Sequence, residues 1–531
     1  MEQQVETKTN PPTTLELTVD EVIEEHVGTL GISQIIQVII VSFAWIFDAQ
    51  GTLITIFTDA APEKWTCNSK GGCNGMQSGK GGSGFVCGLE PGTWDWVGGR
   101  KSSVIAEWGL ICDHKFLAPL PASFFFLGSL LGSAMYGRLA DTILGRKKTL
   151  MLSCLLTAIT SSLTSISPNI WVYAFFRFTN GLSRSGIGIC CLVLATEVVG
   201  RKWRGQVGQY GFFFFTAGFL SIPVMAYYTR TSWRLLYIVT SILPFIYSVF
   251  VLPFVSESPR WLLVRGRKDE ALQVLAKFAK LNGKTLPSNL QLSESNTKND
   301  SNYSNLTLWQ CKWARVRMCK AMVAGFGIGF VYYGVQLNVE NLNFTRYLST
   351  FINALMEIPA VLLGSLLLSC TDRRTLYSYS SYVTGVSCLL CMLFTKGKGG
   401  PIGSWAQLGF EGVGFMAISM AFDILYIYCV ELFPTNVRNF AVSLLRQALM
   451  LGASVAPVLV AVGRLSPTFS FMVFGGLAVL SGVVSFWLPE TRNAPLYETL
   501  EQQEKAEKLG GCGGGVGGSL ESGLQVEETK A

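Results

Sequence analysis

Seven ionisable side chains stand inside long stretches of this sequence that are otherwise nearly free of charge: Asp48, Arg177, Arg184, Glu357, Glu411, Asp423 and Arg446. A charge in an apolar segment is costly unless it faces a partner or water, so each is a functional candidate. Asp48 comes with Gln50 and the rings of Trp45 and Phe47, a grouping able to hold an organic cation by charge and by the ring faces. Its competing role is a structural salt bridge with an arginine. Glu357, just before Pro359, and Asp423 are carboxylates that can take up and release a proton as their surroundings change. The alternative for each is a fixed pair with Arg446 or Arg177. Glu411 lies near the end of its apolar stretch, where it can reach toward water. Tyr332, Tyr333 and Gln336, around Gly334, and Tyr426 and Tyr428 add polar-tipped groups, of which one or two are expected to touch a ligand.

Enzyme chemistry finds no footing. His26 and His114 are the only histidines, one near the N-terminus and one in a loop, so a histidine triad or zinc site among the apolar stretches is not expected. No GxxxxGK[ST] phosphate loop occurs, and no cofactor or metal is expected.

The elements that must position these charges follow from composition. Of 531 residues 49% are hydrophobic and 15% charged, well below the roughly 25% charge of soluble domains. The net charge of +7 is small and spread through loops, giving no support to nucleic-acid binding. Twelve apolar segments begin near residues 34, 117, 149, 170, 206, 235, 321, 347, 377, 405, 440 and 468, each about long enough to cross a ~30 Å hydrocarbon layer as a helix. The expectation is an all-α membrane protein of twelve transmembrane helices, with Asp48 in the first span, Arg177 in the fourth, Tyr332 to Gln336 in the seventh, Glu357 in the eighth, Asp423 in the tenth and Arg446 in the eleventh.

Residues 1–33 are acidic and lack the basic start and apolar core of a signal peptide, so they are expected in the cytosol. The basic residues of the short loops favour the same orientation. The loop over residues 59–116 carries Cys67, Cys73, Cys87 and Cys112 with four tryptophans, which suits a disulfide-stapled extracellular cap whose pairing has three alternatives. Residues 255–317 separate the first six-span bundle (34–254) from the second (318–488) as a cytosolic linker. Within it, Lys268–Leu281 has helical apolar spacing, and 288–305 is polar and expected to be unfolded. Three glycosylation sequons, at Asn299, Asn302 and Asn305, fall in that stretch and would go unused in the cytosol. Residues 489–531 form a cytosolic tail, rich in glycine over 510–518.

The halves repeat. Glu197 and Arg204 follow the fourth span, and Glu431 and Arg438 follow the tenth, 234 residues later. Glu257 with Arg260 follows the sixth span and Glu490 with Arg492 the twelfth, while Asp141 has its counterpart in Asp372. Two bundles related by an axis along the membrane normal would enclose a cavity near mid-depth, opened alternately to each side. Asp141, Arg146, Glu197, Arg204, Glu257, Arg260, Glu431 and Arg438 are then candidates for a cytosolic gate pairing across the bundles, a network that would bias the two-state equilibrium.

These residues carry a resemblance. The stretch GRLADTILGRKK from Gly137 resembles the loop between spans two and three of the major facilitator superfamily. It departs by one extra residue and by Thr142 where a basic residue is usual. EWGLICDHKFLAPLPASFF from Glu107, TEVVGRKWRG from Thr196, SESPRWLLVRGR from Ser256, VYYGVQLNVENL from Val331, ELFPTNVRN from Glu431 and LPETRNAPLYETLE from Leu488 resemble solute carrier family 22. FAWIFDAQGTLITIFTDA from Phe43 resembles its plant organic cation/carnitine branch. The resemblance implies a major facilitator fold and an alternating-access carrier of small organic cations or zwitterions, coupled to protons or a uniporter, working as a monomer in the plasma or vacuolar membrane. It also places Arg177 near the inter-bundle cavity. In the eleventh span, where animal relatives carry an aspartate or an arginine, this chain has Met450, with Arg446 one turn earlier. That departure keeps an organic anion carrier open as the alternative within the class, and a transporter-like receptor as the alternative outside it.

Overall fold

The computed structural model describes residues 15–62, 64–67, 86–87, 93–287, 289–292, 308–342, 344–395, 400–492 and 500–511. Cys73, the sequons at Asn299, Asn302 and Asn305, and most of the glycine-rich tail lie outside them. Six long helices make the first half: Ile32–Thr58, Leu120–Thr142, Arg146–Ser165, Ile170–Thr196, Arg204–Tyr228 and Trp233–Phe254. Six more make the second: Lys312–Leu337, Arg346–Cys370, Arg373–Leu393, Gly400–Leu432, Thr435–Gly463 and Pro467–Val484. They are spans 1 to 12 below.

Eleven of these helices are long and apolar enough to cross a membrane. The exception is span 3, which opens on Arg146, Lys147 and Lys148 and is rich in serine and threonine. Several of its polar groups are paired against protein rather than lipid: Ser153 donates to the Ser183 carbonyl, Thr164 donates to the Thr160 carbonyl of its own helix at 2.7 Å, and Asn180 of span 4 donates to the Thr157 carbonyl. The Thr149 and Thr157 hydroxyls are buried in the bundle with no partner among the described residues.

The duplication is structural as well. A Cβ at Gly218 in span 5 would strike the Ile46 carbonyl of span 1, and one at Gly452 in span 11 would strike the Phe326 carbonyl of span 7. The two glycines are 234 residues apart, the offset already seen in the loop charges, and each lets two backbones touch. Between the halves, span 2 packs on span 11 and span 5 on span 8.

The 59–116 loop contains a short antiparallel ladder, Trp65–Cys67 against Trp94–Trp96, and a disulfide between Cys87 and Cys112. Glu107 fastens it to span 6 by accepting from Trp233 Nε1 and Arg234 Nη2, both at 2.7 Å. At the opposite end, helix Lys268–Leu281 buries Ala271, Leu275, Phe278 and Ala279 in a core that also holds Val22, Ile23 and Val27 of the N-terminal segment. Leu15–Leu17 pairs in parallel with Leu290–Leu292. Part of the stretch expected to be unfolded is therefore a strand, given a partner by the N-terminal segment.

Candidate functional site

The contacts that join the halves lie at mid-depth and toward the end bearing the disulfide loop. At that end Arg464 donates to the Asp59 carbonyl at 3.0 Å and Arg346 to the Ala61 carbonyl at 2.9 Å. The rings of Phe57 and Tyr347 stack with centroids 5.2 Å apart. Asp59 itself, one residue past span 1, accepts from Tyr173 Oη at 2.6 Å and from Thr58 Oγ1 at 2.9 Å. Burial pushes its carboxyl up to about 6, against the lowering effect of those hydrogen bonds and of Arg177 and Arg464.

The end bearing the linker is organised differently from the expected cross-bundle gate. In the first half Arg146 pairs with Asp141 at 3.2 Å and Glu197 at 3.5 Å, while Glu257 accepts from the backbone amides of Arg146 and Lys147. In the second half Arg373 pairs with Glu431 at 3.1 Å, Glu490 accepts from the amides of Arg373 and Arg374, and Arg492 pairs with Asp372 at 3.6 Å. Glu257 and Glu490 each sit on the positive N-terminal end of a helix in their own half, spans 3 and 9. Arg204 and Arg260 pair with Asp20 of the N-terminal segment. Arg438 donates to the Phe433 carbonyl. Among the described residues, none of these charges pairs across the halves. Burial raises the Glu197 carboxyl, and Arg146 opposes that rise.

Five side chains gather at mid-depth. The Glu357 carboxylate of span 8 accepts from Tyr332 Oη of span 7 at 2.6 Å and from Thr216 Oγ1 of span 5 at 3.0 Å, so one carboxylate ties the two halves together. Asp423 of span 10 is half-buried and within electrostatic reach of Glu357. Arg446 of span 11, also half-buried, reaches across to Gly188 and Trp45 of the first half and lies near Tyr333 and Tyr426. Among the described residues neither Asp423 nor Arg446 has a hydrogen bond or an ion pair. Rings line the place: Phe422 packs 4.8 Å from Tyr332 and 5.4 Å from Tyr426, and Trp45 stands 6.0 Å from Phe212. A carboxylate and a guanidinium without partners among the described residues, both acting on Tyr426 and set among aromatic faces, are groups of the kind that attract a small ion bearing both charges.

Several expected residues are placed elsewhere. Asp48 is 1% exposed and gripped by Arg184, so it presents nothing to a ligand; the structural salt bridge is what forms. Trp45 and Phe47 turn from Asp48 to pack on Phe212 and Tyr247, and Gln50 donates to Ser221 Oγ. Among the described residues Arg177 pairs with no carboxylate: it donates to the Gly51 carbonyl and lies 4.1 Å over the Phe125 ring. Glu411 does not reach water but is buried and accepts from Asn353 Nδ2 at 2.7 Å. Tyr333 packs 4.7 Å from Phe126, Gln336 is fully buried, and Tyr428 is spent on the Pro489 carbonyl. Sequence reasoning missed Thr216, whose only signal was a hydroxyl following the run Phe212 to Phe215, and Asp59, which was counted with the loop.

Residues 100–502 match the family described as sugar (and other) transporter. Organic cation/carnitine transporter 3 of Arabidopsis thaliana is 45% identical over 504 residues, covering 93% of this chain and 94% of that protein. Solute carrier family 22 member 3 of Rattus norvegicus is 33% identical over 425 residues, covering 80% and 76%. Among solved structures, the inward open conformation of the xylose transporter XylE from E. coli aligns with a TM-score of 0.62 at 15% identity, over 89% of this chain and 99% of that one.

Proposed function

This chain belongs to the sugar (and other) transporter family of the major facilitator superfamily, and from that membership we propose that it carries small organic cations or zwitterions, of the carnitine, choline or polyamine kind, by alternating access. The observation that carries the reading is the Glu357 carboxylate, held by Thr216 of one half and Tyr332 of the other, with Asp423 within its reach and Arg446 near Tyr426, both unengaged among the described residues.

The chemistry follows from charge placement. An ammonium or quaternary amine sits among Tyr332, Phe422 and Tyr426, where ring faces and the Asp423 carboxylate attract it. A carboxylate at the other end of a zwitterion meets the Arg446 guanidinium in charge-assisted hydrogen bonds. A ligand spanning these groups changes what joins the halves, and differential contact with two states is what shifts their populations. Coupling to protons runs through Glu357: protonation there changes the carboxylate that bridges the halves, so proton and solute act on one element. The carrier works as a monomer in the plasma membrane or the vacuolar membrane, with the linker end in the cytosol.

The test is counterflow into proteoliposomes with labelled carnitine, tetraethylammonium and a monocarboxylate lacking any amine. Accumulation of the first two and not the third is expected. Accumulation of the monocarboxylate alone overturns the reading in favour of an anion carrier, and accumulation of none overturns transport of this class.

A further inference from the structure

At the linker end of the first half, a cavity of about 500 Å³ opens between the start of span 3, the end of span 6 and helix Lys268–Leu281. Lys147, Lys148 and Lys277 all line it, close enough that the other two ammonium groups act on Lys147. Two carboxylates share the lining, and both are occupied. Glu257 accepts from the amides of Arg146, Lys147 and Ser258, and Glu270 is held by Arg267 through two hydrogen bonds. Among the described residues Lys147 and Lys277 hydrogen-bond to neutral oxygens, the former to the Pro253 carbonyl and the latter to the Phe254 carbonyl and Ser256 Oγ, with the Glu257 charge acting on Lys147 from nearby.

Glu257 offsets part of this charge, acting on Lys147 more strongly than either lysine, but with Arg267 also in the lining the basic groups outnumber the two carboxylates, and the excess favours entry of an anion. The cavity's place narrows the choice of anion. Its rim is the last turn of span 6, where Phe250 and Phe254 are 64% and 79% exposed on a helix that crosses the membrane. Exposed rings at the end of an apolar span, beside lysines just beyond it, suit an amphiphile: ammonium groups for a head and apolar surface for chains. A volume of this size admits far more than a phosphate ion.

We propose that this cavity binds a phosphomonoester-bearing headgroup of the adjoining leaflet, with Lys148 and Lys277 clamping the phosphate from the span 3 and linker sides and Lys147 beneath it. Basic pockets at the ends of membrane helices select such headgroups by charge rather than by shape. Because Lys148 and Lys277 belong to different segments, the ligand also pins the linker helix to the start of span 3. The site lies apart from the mid-depth cavity, and its test is independent of what that cavity carries.

Native mass spectrometry of the full chain in detergent, with phosphatidylinositol 4-phosphate, phosphatidylinositol and phosphatidylcholine at equal concentration, reads the site directly. Retention of the phosphomonoester lipid at least about fivefold above phosphatidylcholine is expected. The double variant Lys148→Gln/Lys277→Gln should bring that ratio near one, with a melting temperature matching wild type, while Lys202→Gln, on a separate loop, leaves it unchanged. Adding inositol trisphosphate separates the sources: displacement of the lipid assigns the same phosphate site to a soluble anion, and failure to displace it assigns the site to the lipid. Equal retention of all three lipids, or undiminished preference in the double variant, overturns the proposal.

Discussion

Arg184 Nε and Nη2 donate to the two carboxylate oxygens of Asp48 at 2.7 and 2.8 Å, in a bidentate pair that joins span 4 to span 1 and is all but sealed from solvent. Removing one partner of such a pair leaves an uncompensated buried charge, which costs about 3–5 kcal/mol, whereas removing both is far cheaper. Asp48→Asn and Arg184→Gln should therefore each lower the melting temperature in detergent sharply. The double variant should recover a good part of the loss. If Asp48→Asn instead melts like wild type and only raises KM, the carboxylate is a ligand group and the pairing is incidental.

Glu357 is a different case, because its two hydrogen bonds come from hydroxyls rather than from a cation. Glu357→Gln keeps an acceptor for Tyr332 and removes the titrating group. Counterflow exchange should stay within about threefold of wild type, while uptake driven by a proton gradient falls about tenfold or more, equivalent to about 1.4 kcal/mol. Gradient-driven uptake at the wild-type level would remove Glu357 from the coupling path.

Arg446 separates substrates by charge. Losing a charge-assisted contact to a carboxylate costs roughly 1.5–3 kcal/mol, so Arg446→Gln should raise KM for a zwitterion about tenfold or more and leave a simple cation unaffected or improved. Comparing carnitine and tetraethylammonium uptake by the same preparation checks this. Equal losses for both would mean that Arg446 supports the fold of the cavity rather than the ligand.

The segments read from the sequence coincide with all twelve helices, but apolar character alone qualifies eleven; span 3 is the polar one, and its serines and threonines are intelligible only once Asn180 and Ser183 are beside them. The 234-residue repeat was readable from Glu197 and Glu431, and it extends to Gly218 and Gly452, which no charge pattern marks. Partner choice was not readable. Asp48 and Arg184 are 136 residues apart, and nothing local distinguishes a carboxylate aimed at an arginine from one aimed at a cavity. Helix rotation decides that, and it is fixed by packing on faces that single-chain periodicity leaves ambiguous. Asp20 shows the same limit: an acidic segment was legible, but its seat on Arg204 and Arg260 depends on the linker helix folding beneath it.

Asp59 gives the loop-end clasp a pH dependence whose sign can be worked out. Its carboxyl is raised from 3.8 to about 6, with burial as the largest cause. The groups facing it are Thr58 on span 1, Tyr173 and Arg177 on span 4, Tyr237 of span 6 behind Tyr173, and Arg464 at the end of span 11. When this end opens and water enters, the carboxyl returns toward 3.8, so the clasped state holds the proton more tightly. Clasping is therefore most favoured at low pH and weakens as pH rises between about 4 and 6. Above that range the buried charge penalises it in full, by roughly 3 kcal/mol at about 1.4 kcal/mol per pH unit. Spin labels at Tyr228→Cys and Trp405→Cys, exposed at this end of opposite halves, report the separation by double electron–electron resonance. The longer-distance population should grow with pH across that interval, and Asp59→Asn, which still accepts from Tyr173, should flatten the response. A distance distribution independent of pH in the unsubstituted chain would rule out Asp59 as a determinant of clasping.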